Sequence, residues 1–459
     1  MTDRVHDVIG IGVGPFNLGL AALLDGADAD LDVRFLEQEP EFNWHEGMLV
    51  EETTMEVPFL ADLVTMADPS NPHSYLNYLQ AEDRLYEFYF YEEFFIPRRE
   101  YNEYCRWVAD RLPSLEFDSR VTDVRVEDDL FVVEAVDPTT GERERYAAED
   151  VVMGIGTQRH VPEQFEDSLG RDVFHSASYL HNRERCLDAD SVTIVGSGQS
   201  AAEVFRDLLE RQRENEFSLD WITRSRGFFQ MADAKLGHMV YTPDYTEYFY
   251  DLDQERKDEL LDGQDLLYKG IDETTSARIY DALYERSVGD GDPDVGMLAA
   301  TEVTDIGTVD VGTDRSGTDY YQLICDHWQE EERFLHESEV VVLATGYART
   351  EPPFLAPLED RIRRDGQGRL AITKDFRLET DLPGEIFVQN AELHTHGINA
   401  PDLGLGPYRN ATIVNQLAGE DVYDASRADT FQTFAVDDFV AERGARRIPE
   451  SRPRLRGDD

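Results

Sequence analysis

Apolar residues in this chain gather in short β-branched runs, each followed by a turn and then by residues with helical spacing, an alternation that predicts an α/β protein. His6 to Ile11 and Val192 to Val195 are two such runs, and each leads through a glycine-rich turn into a helical segment. Leu31 to Leu36 and Leu219 to Thr223 read as the strands that follow. Two further runs, Val151-Val152-Met153 and Val340-Val341-Val342-Leu343, have the composition of buried parallel strands and end in the turns Gly154 to Thr157 and Ala344 to Tyr347. Tyr245 to Leu267 and Thr274 to Tyr284 predict helices, with Tyr241, Tyr245, Tyr248, Phe249 and Tyr250 read as core aromatics. Ser287 to Pro293 predicts a loop and Val309 to Asp319 the end of a hairpin.

The repetition predicts two Rossmann-like dinucleotide-binding domains, the second inserted into the first, with a helical region that contributes to a substrate site. The expected boundaries are 1–170 for the first part of the outer domain, 185–334 for the insertion, 335–443 for the second part, and 444–459 for a polar, disordered tail. A chain of 459 residues with 41% hydrophobic residues is long enough to build these cores.

Charge narrows the function classes. With 96 acidic against 43 basic residues and a formal net charge of −53, nucleic-acid binding and docking on anionic lipid are disfavoured. Lysine occurs only at Lys235, Lys257, Lys269 and Lys374, so an acid excess spread along the whole chain reads as a halophile's solvated surface. Cys105, Cys186 and Cys325 are widely separated, which supports neither a redox disulfide nor a metal knuckle and points to a reducing, cytoplasmic compartment. Val8 to Leu24 is interrupted by Gly10, Gly12, Gly14, Pro15 and Asn17, so neither a signal peptide nor a membrane span is expected.

The glycine turns carry the chemistry. Gly12-Val13-Gly14-Pro15-Phe16-Asn17 and Gly196-Ser197-Gly198-Gln199-Ser200-Ala201 both follow a strand and open a helix, where the backbone must turn tightly and approach a pyrophosphate. The first has Asn17 in place of a third glycine, and its second strand ends in Glu37, suited to a ribose 2′-hydroxyl. The strand after the second turn ends in Arg224-Ser225-Arg226, suited to a 2′-phosphate. FAD at the first turn and NADPH at the second are therefore expected.

Several longer blocks resemble the flavin-dependent N-hydroxylating monooxygenases, the lysine N6-, ornithine N5- and diamine N-hydroxylases of siderophore synthesis. They are Phe42-Asn43-Trp44-His45-Glu46-Gly47-Met48, Phe59-Leu60-Ala61-Asp62-Leu63-Val64-Thr65, Asn71-Pro72-His73-Ser74-Tyr75-Leu76-Asn77-Tyr78-Leu79, Arg98-Arg99-Glu100-Tyr101, Phe174-His175-Ser176-Ala177, the run ending Thr345-Gly346-Tyr347, and Thr395-His396-Gly397-Ile398. The resemblance covers roughly residues 5 to 425. It implies that NADPH reduces the flavin, that dioxygen is activated there, and that one oxygen atom passes to a terminal primary amine. It further implies that Trp44, His45 and Gly397 lie near the flavin nucleotide and that Thr345, Gly346 and Tyr347 lie at the domain junction. Arg98, Glu56 and His396 are candidates for the catalytic centre, and Ala61, His238 and Tyr268 for the substrate side.

Two departures from the family pattern bear on substrate. The lysine and ornithine enzymes carry a lysine in the block around Phe59 that pairs with the substrate α-carboxylate, whereas this chain has Ala61, which favours a small diamine (1,3-diaminopropane, putrescine or cadaverine); lysine depletion in a halophile's chain is the other reading, and leaves L-lysine as the alternative substrate. Glu56 stands where the family has glutamine, and two readings stay open: an acidic quirk of the surface, or a contact to the far ammonium of a diamine. A Baeyer–Villiger monooxygenase lacks support because its FxGxxxHxxxW signature is not found between the turns. A redox sensor that holds both nucleotides without hydroxylating anything is the non-enzymatic alternative. Expected partners are the amine and O₂, with no nucleic acid, no membrane and no metal, and with homo-oligomerisation left open.

Overall fold

β1 (Val5–Ile11), β2 (Val33–Leu36), β3 (Leu115–Glu116), β4 (Arg120–Glu127), β5 (Leu130–Val136) and β6 (Arg143–Met153) form one sheet in the order β3-β2-β1-β6-β5-β4. The computed structural model describes residues 4–27, 29, 31–232, 234–289, 293–309, 320–425 and 430–445. β1, β2 and β3 run parallel, as does β6 beside β1. The first half of β6 pairs antiparallel with β5, whereas Val151–Met153 pairs with a strand from far along the chain, Ile386–Val388. α1 (Pro15–Gly26) is buried from Asn17 to Leu24, because it is covered by the sheet on one side and by the chain's C-terminal half on the other.

A two-residue strand, β7 (Gln158–Arg159), marks the way out of this unit. The second sheet consists of β8 (Val173–His175), β9 (Ser191–Val195), β10 (Ser218–Ile222), β11 (Val295–Leu298) and a strand after the hairpins, Val340–Leu343, in the spatial order β11-β10-β9-(340–343)-β8, parallel throughout. β12 (Thr301–Val309), β13 (Tyr320–His327) and β14 (Glu332–Ser338) add a three-stranded antiparallel sheet. β15 (Val340–Leu343) then completes the second sheet, and β16 (Tyr347–Ala348) pairs antiparallel with β7 where the chain re-enters the first unit, which β17 (Ile386–Val388) finishes.

The expected architecture of two Rossmann-like sheets, one inserted in the other, is what the chain forms, with two corrections to its edges. β8 lies before residue 185 and β15 after residue 334, yet both belong to the second sheet, since Val341 pairs with Val173 on one side and Thr193 on the other. The run 340–343 resembles 151–153 because each is a buried interior strand of its own sheet, not because both belong to the first. The expected single helix from Tyr245 to Leu267 is three pieces, Pro243–Tyr250, Gln254–Gly263 and Asp265–Tyr268, broken where Asp253 is extended. Tyr245 and Phe249 are core, packed with Ile398. Asn399 ties this helical region down, donating from Nδ2 to the carbonyls of Val240 (3.1 Å) and Thr242 (3.2 Å) and to Thr246 Oγ1 (2.7 Å). Residues 310–319, within the expected hairpin end, and 446–459, within the expected tail, lie outside the described residues. The three cysteines are buried and free, and among the described residues no helix is long and apolar enough to cross a membrane.

Asn17 explains why the first turn can do without a third glycine. Its buried amide donates to the carbonyls of Ile11 (3.1 Å) and Gly12 (2.7 Å) and accepts from Gln389 Nε2 (2.6 Å), so it joins the turn to the residue that follows β17. The glycine lies across the contact instead, because a Cβ on Gly154 would lie 2.4 Å from Asn17 Cγ. Asn17→Ala removes all three bonds and leaves Gln389 unpaired. We expect a loss of about 1–3 kcal/mol in unfolding free energy by denaturant titration; an unchanged midpoint would count against this brace.

Candidate active site

A cavity of about 2250 Å³ extends from the turn after β1 to the helix after β9. At the first end Gly12 has φ +84°, and a Cβ there would lie 2.7 Å from the Gly154 carbonyl oxygen. Gly14 faces open space, its nearest neighbour for a Cβ being that same oxygen at 4.0 Å, and Pro15 starts α1 behind it. The cradle is thus open where a pyrophosphate needs room and lies over a helix N-terminus. At the tip of β2, Glu37 accepts the Val13 N–H (2.7 Å) and the Glu39 N–H (3.0 Å), which fixes a carboxylate at the cavity wall where a ribose hydroxyl can donate to it. These residues fit an adenosine nucleotide without a 2′-phosphate.

The second end repeats the design with opposite charge. Gly196 has φ +146°, and a Cβ there would lie 2.2 Å from the Ala344 carbonyl oxygen, while a Cβ on Gly198 would touch nothing. Gln199 and Ser200, at the start of α3 (Gln199–Arg211), line the cavity. The first residue of α2 (Arg98–Ala109), Arg98, reaches the same wall. Arg224 and Arg226 follow β10, are exposed, and pair with no carboxylate among the described residues. In so acidic a chain, two uncommitted guanidinium groups at this strand end fit a 2′-phosphate.

The two ends are joined through buried charge. Arg98, the first residue of α2, donates from Nη1 and Nη2 to Glu203 on α3 at 2.8 and 2.6 Å, with the Glu203 side chain only 1% exposed. Glu203 also accepts from Gln199 Nε2 (3.0 Å), and Gln199 in turn accepts the Asp272 N–H (2.8 Å). Arg206, one turn further along α3, donates to the Glu51 carbonyl (2.6 Å). Glu56 stands 3.9 Å from Arg98, so its charge is drawn towards that guanidinium. His45 lines the cavity between Trp44 (ring centroids 5.0 Å apart) and Tyr347 (5.5 Å), and burial together with the Arg98 charge pushes its pKa down to about 4. It is therefore neutral at ordinary pH. Ala61, His238 and Tyr268 all reach the same cavity.

Other candidates fall elsewhere. His396 is not on the cavity wall; it is buried, stacked on Phe376 (4.5 Å) and hydrogen-bonded to Thr395 Oγ1 (2.8 Å) and the Lys374 carbonyl (3.2 Å). Burial lowers its pKa to about 3, so it is a neutral packing residue. Gly397, φ +77°, is needed because a Cβ would lie 3.1 Å from the Phe249 ring. Thr345 donates to the His160 carbonyl, and the Gly346 carbonyl accepts from the His160 N–H (2.9 Å) and pairs with His175 Nε2 (3.0 Å); both brace the crossover, leaving Tyr347 to face the cavity. Two wall residues had no sequence signal. Glu203 sits in a polar stripe with Gln199 and Arg206 that reads as solvent-facing, and Asp402 is one acid among many.

The model of the L-lysine 6-monooxygenase/L-ornithine 5-monooxygenase family matches residues 4–349. A putrescine N-hydroxylase of Shewanella oneidensis is 40% identical over 433 residues, covering 94% of this chain and 84% of that protein. The FAD-bound cadaverine monooxygenase of the desferrioxamine pathway of Erwinia amylovora superposes with a TM-score of 0.89 at 37% identity, over 95% of this chain and 99% of that one. An ornithine N-hydroxylase of Kutzneria sp. 744, solved with reduced FAD, NADP⁺ and L-ornithine, superposes with a TM-score of 0.84 at 26% identity, over 90% and 99%.

Two outcomes follow from the geometry. Replacing Arg224 and Arg226 together by alanine should lower the kcat/KM preference for NADPH over NADH by about tenfold or more; a constant ratio would put the 2′-phosphate elsewhere. Because folded His396 resists protonation until about pH 3, while the unfolded chain takes up that proton near an ordinary histidine value of about 6.5, this residue makes stability fall as pH drops through that window. His396→Asn should flatten the acid limb of unfolding midpoint against pH and leave amine hydroxylation within about threefold of the parent.

Proposed function

The chain belongs to the L-lysine 6-monooxygenase/L-ornithine 5-monooxygenase family, and from that premise we propose that it N-hydroxylates one terminal amine of a small aliphatic diamine, as a step in hydroxamate siderophore synthesis. FAD and NADPH are its cofactors. The reaction balances as R–NH₂ + O₂ + NADPH + H⁺ giving R–NHOH + NADP⁺ + H₂O. The bound nucleotides supply the reducing equivalents and the activation of dioxygen.

The remaining work falls to the chain. Gly12, Gly14, Pro15 and Glu37 would hold the flavin nucleotide, with Trp44, His45 and Tyr347 on the wall beside it. Gly196, Gly198, Gln199, Ser200, Arg224 and Arg226 would hold NADPH. Arg98, locked to Glu203, positions the two nucleotide sites relative to each other. The attacking nitrogen must be neutral although a free alkylamine has a pKa near about 10.4, so the pocket has to disfavour the ammonium by desolvation. Apolar wall residues Ala61, Met66, Ala67, Leu403 and Leu405 suit that task. Excluding water also protects the activated oxygen from wasteful release as peroxide.

The observation that carries the diamine reading is Ala61. The family resemblance places the partner of an amino acid's carboxylate at this position, and a methyl group offers no charge to it. Among the described residues no lysine lines the cavity; of its three arginines Arg98 is committed to Glu203 and Arg278 to Glu52, while Arg120 lies at the Glu37 end, next to Ser119, whose N–H donates to the Glu37 carbonyl. Putrescine and cadaverine are the substrates named for two relatives near 40% identity.

We read the net charge of −53 as adaptation to high salt, so the assay is run in molar salt with added FAD. Hydroxylamine formation coupled to NADPH oxidation is measured with 1,3-diaminopropane, putrescine, cadaverine, L-ornithine and L-lysine. At least one diamine should exceed both amino acids in kcat/KM by about tenfold. Turnover of lysine alone overturns the proposal, and NADPH oxidation that yields only H₂O₂ with every amine favours a nucleotide-binding sensor.

A further inference from the structure

We propose that Asp402 binds the distal ammonium of the diamine and thereby sets which chain length is hydroxylated, an inference that rests on the diamine reading above. Three segments meet at one corner of the cavity: residues 58–67, residues 401–408 and the helical region around His238. Gly404 fixes the geometry of that corner. A Cβ on it would lie 3.0 Å from Asp402 Oδ1 and 3.6 Å from the Ala61 methyl, so a carboxylate and the position that lacks a cation flank the same point of the wall.

Glu37, Glu56, Glu203 and Asp272, on other parts of the wall, are already engaged. Glu203 is held by Arg98 and Gln199, Glu56 lies against Arg98, Glu37 accepts two backbone N–H groups, and Asp272 accepts the Thr275 N–H (2.8 Å). Asp402 Oδ1 accepts the Leu405 N–H (3.1 Å), which caps the short helix Leu403–Leu405. The Gly404 N–H is a second backbone donor to the carboxylate, and among the described residues no side-chain donor bonds to it. Two basic groups act on it from a distance: Arg409, itself committed to Glu392 and to the Ala400 carbonyl (2.9 Å), and His238 on the cavity wall.

The chemistry of the group matches that of the ligand. Burial pushes the Asp402 carboxyl up to about 6, against the opposing help of backbone N–H groups, so near neutral pH it is an anion in a poorly hydrated place. A partner cation is what such a group lacks. A diamine has one nitrogen that must shed its proton to react and one that can keep it. An anion at one corner and an apolar wall beyond it sort the two ends. An amino acid would bring its carboxylate to this corner, where Asp402 repels it and Ala61 offers nothing.

The test compares cadaverine with pentylamine, which has the same length and no second nitrogen. In Asp402→Asn the amide oxygen still caps Leu405, and the cadaverine-to-pentylamine ratio of kcat/KM should fall roughly 10- to 100-fold, mainly through KM for cadaverine. Asp402→Glu reaches one methylene further into the pocket and should shift preference from cadaverine towards putrescine. The same ratios are read by calorimetric binding to the FAD-loaded protein. If no amine is hydroxylated, the proposed function fails while the role of Asp402 is still judged on binding. Equal discrimination in parent and Asp402→Asn, at matching FAD content and thermal midpoint, overturns the inference, as does a parent that binds cadaverine no more tightly than pentylamine. If the Asn variant does not fold, an unshifted length preference in Asp402→Glu overturns it instead.

Discussion

The bidentate pair between Arg98 and Glu203 is the interaction on which the arrangement of this molecule turns. Neither charge can stay buried without the other, since an unpaired ion in such a place costs several kcal/mol, roughly 3–5 when one partner is removed. One belongs to the flavin-side unit and the other to the helix that begins at the second glycine turn. Gln199 and Arg206 extend the contact along the same face of that helix, at spacings that put all three side chains in one stripe. The start of α3 is therefore held in register with residues 51–56, and its first residues, Gln199 and Ser200, share one cavity with the turn after β1.

That dependence also explains which features could be read from the amino-acid order. The glycine turns, Glu37 and Arg224–Arg226, the residues proposed to meet the nucleotides, are local signals, because such a ligand would impose its demands on residues a few positions apart. Strand membership is not local. Val340–Leu343 is chemically indistinguishable from Val151–Met153, and only pairing with Val173 and Thr193 assigns it to the second sheet. Glu203 was hidden for a related reason: a polar stripe on a helix normally faces solvent, and here it faces another domain.

His396 and Gly397 show the opposite error. They stand in a block that resembles the family pattern, so a role near the flavin was a natural expectation. The structure gives them to packing instead, with the imidazole sandwiched against Phe376 and the glycine making room for Phe249. Asn17 departs from the glycine pattern, and the brace it makes to Gln389 shows what replaces close helix packing there. A matched pair, Asn17 facing Gly154, keeps the volume while exchanging sides.

The inserted unit leaves through Gln158–Arg159 and returns through Tyr347–Ala348, two short strands hydrogen-bonded to each other. Its ends are thus neighbours in space, and nothing in the outer sheet has to be rethreaded when the unit is removed or exchanged. The nicotinamide half is in effect a cassette on a two-ply stalk. Nucleotide preference in such a scaffold can be altered by swapping that cassette whole, provided the replacement brings its own acid to meet Arg98.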